Sequence, residues 1–128
     1  LALVEGLSWL RRRRERQFSK SLFAEPCWGL LLELMSSEER GKLLSVKSAC
    51  ISMAIPTTSA LRLLRQLEQS GYVRREPDPK DNRRVNVRLS PGTMENLRSL
   101  FEEMDKMLRG RRNQDGYSSA KQFLLVAA

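Results

Sequence analysis

A chain of 128 residues suffices for one compact domain with a single core, and leaves a helix to spare for a partner. Lys and Arg outnumber Asp and Glu by 23 to 15, giving a formal charge of +8 and a pI near 10.2, an excess that favours a polyanionic partner: DNA, RNA or an acidic membrane surface. With no histidine the commonest general base and metal ligand are missing, and Cys27 and Cys50 are too far apart for a zinc ligand set and too few for a secreted disulfide scaffold.

These features predict a reduced, cytoplasmic protein with two apolar thiols in its core, no metal and no cofactor. A redox-sensing Cys27 stays open as the less favoured alternative. No stretch has the ~20 apolar residues of a membrane span. In 1–10 the apolar residues precede the arginines, the wrong order for a signal peptide, and because the first residue is Leu a few residues are expected to precede it.

Residues 3 to about 19 read as a helix carrying the run Arg11-Arg12-Arg13-Arg14-Glu15-Arg16. That run either extends a phosphate-binding surface or forms a solvated face that pairs with acids such as Glu102, Glu103 and Asp105. Glu25-Pro26 looks like a helix start, and Trp28, Leu31, Leu32 and Met35 repeat at helical spacing, so 26–37 is predicted as a core helix. Residues 36–41 end on Gly41 and read as a connector. Leu43-Leu44 suggests a short strand, Ser45 an N-cap, and Val46, Ala49 and Cys50 the apolar face of a two-turn helix.

After a turn at 52–55, a helix over 56–70 turns Ala60, Leu63, Leu64 and Leu67 inward and stops at Ser70-Gly71. Then the period changes. Residues 72–75 read as extended, 76–82 as a turn rich in Pro, Asp and Asn, and 84–89 alternates apolar and polar side chains, which together make a hairpin. Ser90-Pro91 opens a long helix striped by Met94, Leu97, Leu100 or Phe101, Met104 and Leu108, to about Arg109. Residues 110–119 are polar, and Phe123 to Val126 are apolar enough to pack against something.

Helix, short helix, turn, helix, hairpin, helix is the order of a winged helix-turn-helix, mainly α with a small β-hairpin wing. The second helix of such a motif lies in the major groove, where base edges offer distinct donors and acceptors. Candidate DNA contacts on helix 56–70 are Thr57, Thr58, Ser59, Leu61, Arg62 and Arg65: hydroxyls for phosphates or base edges, Leu61 for a thymine methyl, Arg62 for a guanine. On the wing, 73–89, they are Lys80, Arg83 and Arg84, reaching phosphates or the minor groove, with the acidic Asp81 expected to position an arginine by salt bridge.

The wing Asp81-Asn82-Arg83, followed by Val87-Arg88-Leu89-Ser90 and Gly92, resembles the signature of MarR-type winged-helix regulators. So does the link Leu67-Glu68-Gln69-Ser70-Gly71-Tyr72-Val73, and the likeness spans about 28–100. The resemblance implies Arg83 as wing-tip arginine with Asp81 as its partner, and a homodimer repressing transcription from a pseudo-palindromic operator. Gly92 comes one residue early for that signature, and the N-terminal segment is more basic than is usual there.

The expected organisation is a basic helix over 1–20 for dimerisation or DNA-backbone contact, a winged-helix domain over 21–110, and a tail over 111–128 for dimerisation. Apolar residues near both ends, including Leu3, Val4, Leu7 and Trp9, favour a homodimer, the alternative being that they cover the long helix within one chain. Double-stranded DNA is the expected partner and no membrane is. A small-molecule effector has no support in the residues. The competing function is a winged-helix protein-interaction module that does not read DNA. An enzyme is not expected, for want of an activated nucleophile, paired carboxylates or a phosphate loop.

Overall fold

The computed structural model describes residues 2–17 and 26–110. The expectations for 18–25 and for 111–128, including Glu25 and the segment Phe123 to Val126, lie outside these. The elements in order are α1 (Ala2–Gln17), α2 (Cys27–Glu39), β1 (Leu44–Ser45), α3 (Val46–Ser52), α4 (Thr57–Gln69), β2 (Val73–Pro77), β3 (Val85–Leu89) and α5 (Pro91–Arg109). They group into two compact units, one within 20–94 and the other within 1–19 and 95–128, so α5 enters both.

In the first unit, α2, α3 and α4 surround an antiparallel sheet of order β1-β3-β2. The core is built from Leu30, Leu31 and Leu34 of α2, Ala49 and Cys50 of α3, Ala60, Leu64 and Leu67 of α4, and Val73, Val87 and Leu89 of the strands, all buried. The inward stripe of α2 therefore differs from the expected one: Trp28 and Leu31 are buried as read, but Leu30 and Leu34 replace Leu32 and Met35, which are half-exposed. In the other unit Leu10 of α1 and Leu97, Leu100, Met104 and Leu108 of α5 are buried.

Helix ends explain the remaining differences. α2 continues to Glu39 through residues read as a connector, and Gly41, at φ 71°, ends it. The Gly41 N–H donates to the Glu38 carbonyl and the Lys42 N–H to that of Ser37, the paired bonds of a Schellman cap. The same closure ends α4: Gly71, at φ 81°, donates to Glu68 O and Tyr72 to Leu67 O. Ser45 serves two elements at once. Its extended backbone (φ −71°, ψ 160°) fits β1, while its hydroxyl accepts the Ser48 N–H at 3.1 Å and caps α3. Glu76 and Pro77, expected in the turn, belong to β2.

A candidate nucleic-acid interface

α3 and α4 meet through the turn at Met53, Ala54 and Ile55, where Ala54 takes the left-handed conformation (φ 55°) and its N–H donates to Ile51 O. Pro56 follows at φ −53°, ψ 143° and stands just before the first turn of α4, not inside it. Sequestering Ala60, Leu64 and Leu67 on one side leaves Thr57, Thr58, Arg62 and Arg65 exposed on the other, with Ser59, Leu61 and Leu63 at intermediate exposure. Thr58, Arg62 and Arg65 fall in a line at steps of four and three residues, the repeat of one helix face. Gln66, also exposed, sits four residues beyond Arg62 on the same stripe and was overlooked in the sequence, although that spacing marks it. Exposed Lys47 on α3 was overlooked too, for it has no basic neighbour to draw the eye.

The wing strands pair from Val73 opposite Leu89 to Pro77 opposite Val85. This register sets Arg74 against Arg88, an unfavourable like-charge pair unless acids intervene. They do. Arg74 Nε lies 2.9 Å from Glu76, and Arg88 Nε donates to Glu38 of α2 at 2.8 Å, a bond that raises the Arg88 pKa. Arg75 Nε lies 3.3 Å from Glu68 of α4. The three basic side chains on the strands are thus tied to acids, one on β2 itself and two on the neighbouring helices.

The loop 78–84 is built on two aspartates. Asp78 Oδ1 accepts the backbone N–H groups of Lys80 (2.8 Å) and Asp81 (3.0 Å), and Asp81 Oδ1 accepts that of Arg83 (2.9 Å). Asp81 therefore shapes the turn by holding backbone, and the expected side-chain salt bridge is made by Asp78, 3.5 Å from Arg84 Nε. Arg84 itself turns back into the wing, with Nε donating to Asn86 Oδ1 and Nη2 to the Leu43 carbonyl, both at 2.8 Å. It does not stand with the tip cations, as its place in the sequence suggested. Among the described residues Lys80, Arg83, Arg62 and Arg65 are exposed and their side chains make no hydrogen bond or ion pair, which leaves those donors available to a polyanion.

The arginine run divides. Arg13 Nη2 donates to both carboxylate oxygens of Glu103 of α5 at 2.8 Å, in line with the pairing alternative, and Arg11 lies 3.7 Å from Glu15. Both thiols are buried, and burial raises their pKa values, the Arg75 charge pulling the other way at Cys50. A raised pKa lowers the thiolate fraction on which sensing depends. Among the described residues no cluster of three His, Cys, Asp or Glu side chains is placed to hold a metal, and no helix is long and apolar enough to cross a membrane.

Comparison with known families gives one match in sequence: the MarR family model covers residues 50–85, from α3 through the helix-turn-helix to the start of β3. The fold is that of a MarR-type winged helix. Solved structures agree across most of the chain. A MepR mutant from a multidrug-resistant S. aureus clinical isolate superposes at a TM-score of 0.65 with 17% identity, covering 89% of this chain and 78% of that one. The S. aureus MepR–DNA complex gives 0.58 with 19% identity, covering 85% and 86%. The transcriptional regulator Tm0710 from Thermotoga maritima gives 0.58 with 17% identity, covering 96% and 80%. At these identities the shared property is the fold. No curated protein sequence matches the chain. The segment matched by the MarR model contains the exposed α4 stripe and the wing tip.

Proposed function

We propose that this chain is a sequence-specific duplex-DNA-binding regulator of transcription, with α4 in the major groove and the 78–84 loop on phosphates or in the adjacent minor groove. One observation carries the reading: four exposed cations, Arg62 and Arg65 on α4 and Lys80 and Arg83 on the wing, have no partner among the described residues, while the neighbouring basic side chains of the hairpin are neutralised. A docking module has no need to leave those four unpaired. The S. aureus MepR–DNA complex, which shares the fold, supports DNA as the partner.

Thr57, Thr58, Ser59 and Leu61 complete the reading face, and Arg62 supplies the bidentate donor suited to guanine. A homodimer fits the exposed apolar side chains of α1, where Val4 is 64% and Leu7 37% exposed. Two copies would address the two halves of a palindromic site, and such a regulator works in the cytoplasm. Sedimentation at tens of micromolar checks the dimer; a monomer there removes it from the reading.

Selection of bound duplexes from a random pool, followed by titration of the winner at several salt concentrations, tests the function. Arg62→Ala should cost about 1–3 kcal/mol on the preferred site and relax its sequence preference. Arg83→Ala should weaken all sequences alike and flatten the salt dependence. No binding at ~50 mM salt with micromolar protein would overturn the proposal.

A further inference from the structure

Asn86 is 1% exposed, a buried amide in the middle of the wing's inner strand. Both its ends are engaged. Nδ2 donates to Asp78 Oδ2 at 2.8 Å and Oδ1 accepts from Arg84 Nε at 2.8 Å. The amide's orientation is dictated chemically, because a carboxylate can only accept and a guanidinium can only donate. Arg84 continues the line to the Leu43 carbonyl just before β1, and Asp78 continues it to the backbone N–H groups of Lys80 and Asp81. One unbroken series of hydrogen bonds therefore runs from the edge of the sheet to the tip of the wing.

We infer that Asn86 and Arg84 are positioning residues for DNA binding, holding the 78–84 loop so that Lys80 and Arg83 are presented to phosphates in one geometry. The inference rests on the DNA-binding reading above and assigns Arg84 a role through Asn86 and Asp78 with no phosphate contact of its own. The physical gain is preorganisation. A loop ordered on folding loses no further conformational freedom on binding, and the two cations arrive with their spacing already set. Two of the five N–H donors of Arg84, on Nε and Nη2, are directed at Asn86 and the Leu43 carbonyl, which holds its guanidinium against the sheet.

The test exchanges donor and acceptor in the full chain. Asn86→Asp sets two carboxylates at hydrogen-bond distance with no proton between them. The double variant Asp78→Asn/Asn86→Asp restores every hydrogen bond of the series, because the amide at 78 then donates to a carboxylate at 86 that still accepts from Arg84 and takes over its ion pair. The single variant should bind duplex DNA roughly tenfold more weakly, with a log–log salt slope shallower by up to about 2, the share of two phosphate contacts. The double variant should recover both. A single variant with unchanged slope, or a folded double variant that recovers neither, overturns the inference. Should Asn86→Asp fail to fold, Arg84→Gln at the exposed end of the series replaces it, and an unchanged slope there is equally decisive.

Amide exchange without DNA separates this inference from the reading beneath it. In the single variant the Lys80, Asp81 and Arg83 N–H groups should exchange at least about tenfold faster, and in the double variant at the original rate. Unchanged exchange overturns the network. Failure of the unaltered protein to bind duplex DNA overturns only the DNA-binding reading.

Discussion

Asp78 accepts from three donors, with a guanidinium nearby, and the order of their effects has a consequence for pH. Its carboxyl is held below the usual carboxylate value, first by the Asn86 amide and then by the Lys80 N–H, with burial opposing and the Asp81 N–H and Arg84 charge adding. A folded-state pKa lower than the unfolded one means that the interaction is fully present above the ordinary carboxylate range and is lost as pH falls through the depressed value. Order in the 78–84 loop should therefore persist through the ordinary carboxylate range and fail only in stronger acid. An NMR titration of the Asp78 carboxyl should show its midpoint moving up towards the ordinary value in Asn86→Ala. An unmoved midpoint would mean that the amide is not the main cause. At this scale the sequence was least informative. Arg83 and Arg84 are adjacent and alike as letters, and only the strand register, which turns Arg84 toward Asn86 and Leu43, tells them apart. Asp81 misled for a similar reason: an acid among arginines suggests a salt bridge, yet the nearest donor to its carboxylate is the backbone N–H of Arg83.

Between α3 and α4 the reversal depends on Ala54, whose left-handed backbone costs an L-residue roughly 1–2 kcal/mol. Ala54→Gly removes that cost but adds freedom to the unfolded chain, a penalty of about 0.4–1 kcal/mol. The net expectation is a gain of up to about 1.5 kcal/mol, a rise of a few degrees in the thermal midpoint. Ala54→Val at the same site should lower it, since β-branching makes a positive φ worse. Calorimetry on the pair checks the sign, and a lower midpoint for the glycine variant would show that Ala54 is not under strain. Helix existence and order were legible because apolar spacing survives any packing. Helix ends were legible only in part: Gly71 and Ser45 marked their caps, whereas Ser36 to Glu39, all polar, break the apolar spacing and read as a connector, although α2 runs on through them and brings Glu38 to Arg88.

Across the whole molecule, the succession of short helix, turn, helix and hairpin was enough to name the architecture, for few folds place a basic hairpin directly after an amphipathic helix. Charge was a blunter guide. The sequence distributes cations over the entire hairpin, but the fold neutralises those on the strands and leaves those at the tip, an outcome that depends on which acids lie across from them: Glu38 from α2 and Glu68 from α4. The arginine run was undecidable from spacing, since its pairing with Glu103 joins residues ninety apart. The strand order carries a last consequence, for solubility. With β1-β3-β2, β2 lies at the rim of the sheet, where exposed backbone invites strands from other molecules to add on. Its sequence Val-Arg-Arg-Glu-Pro discourages them: Pro77 has no N–H to offer, and a stacked copy would bring like-charged Arg74 and Arg75 side chains together. Replacing Arg74 and Pro77 by Val should leave the monomer folded yet make concentrated solutions turn turbid and bind an amyloid dye, and a clear solution would mean that the rim is guarded elsewhere. The rim strand is thereby guarded against the addition of a second strand.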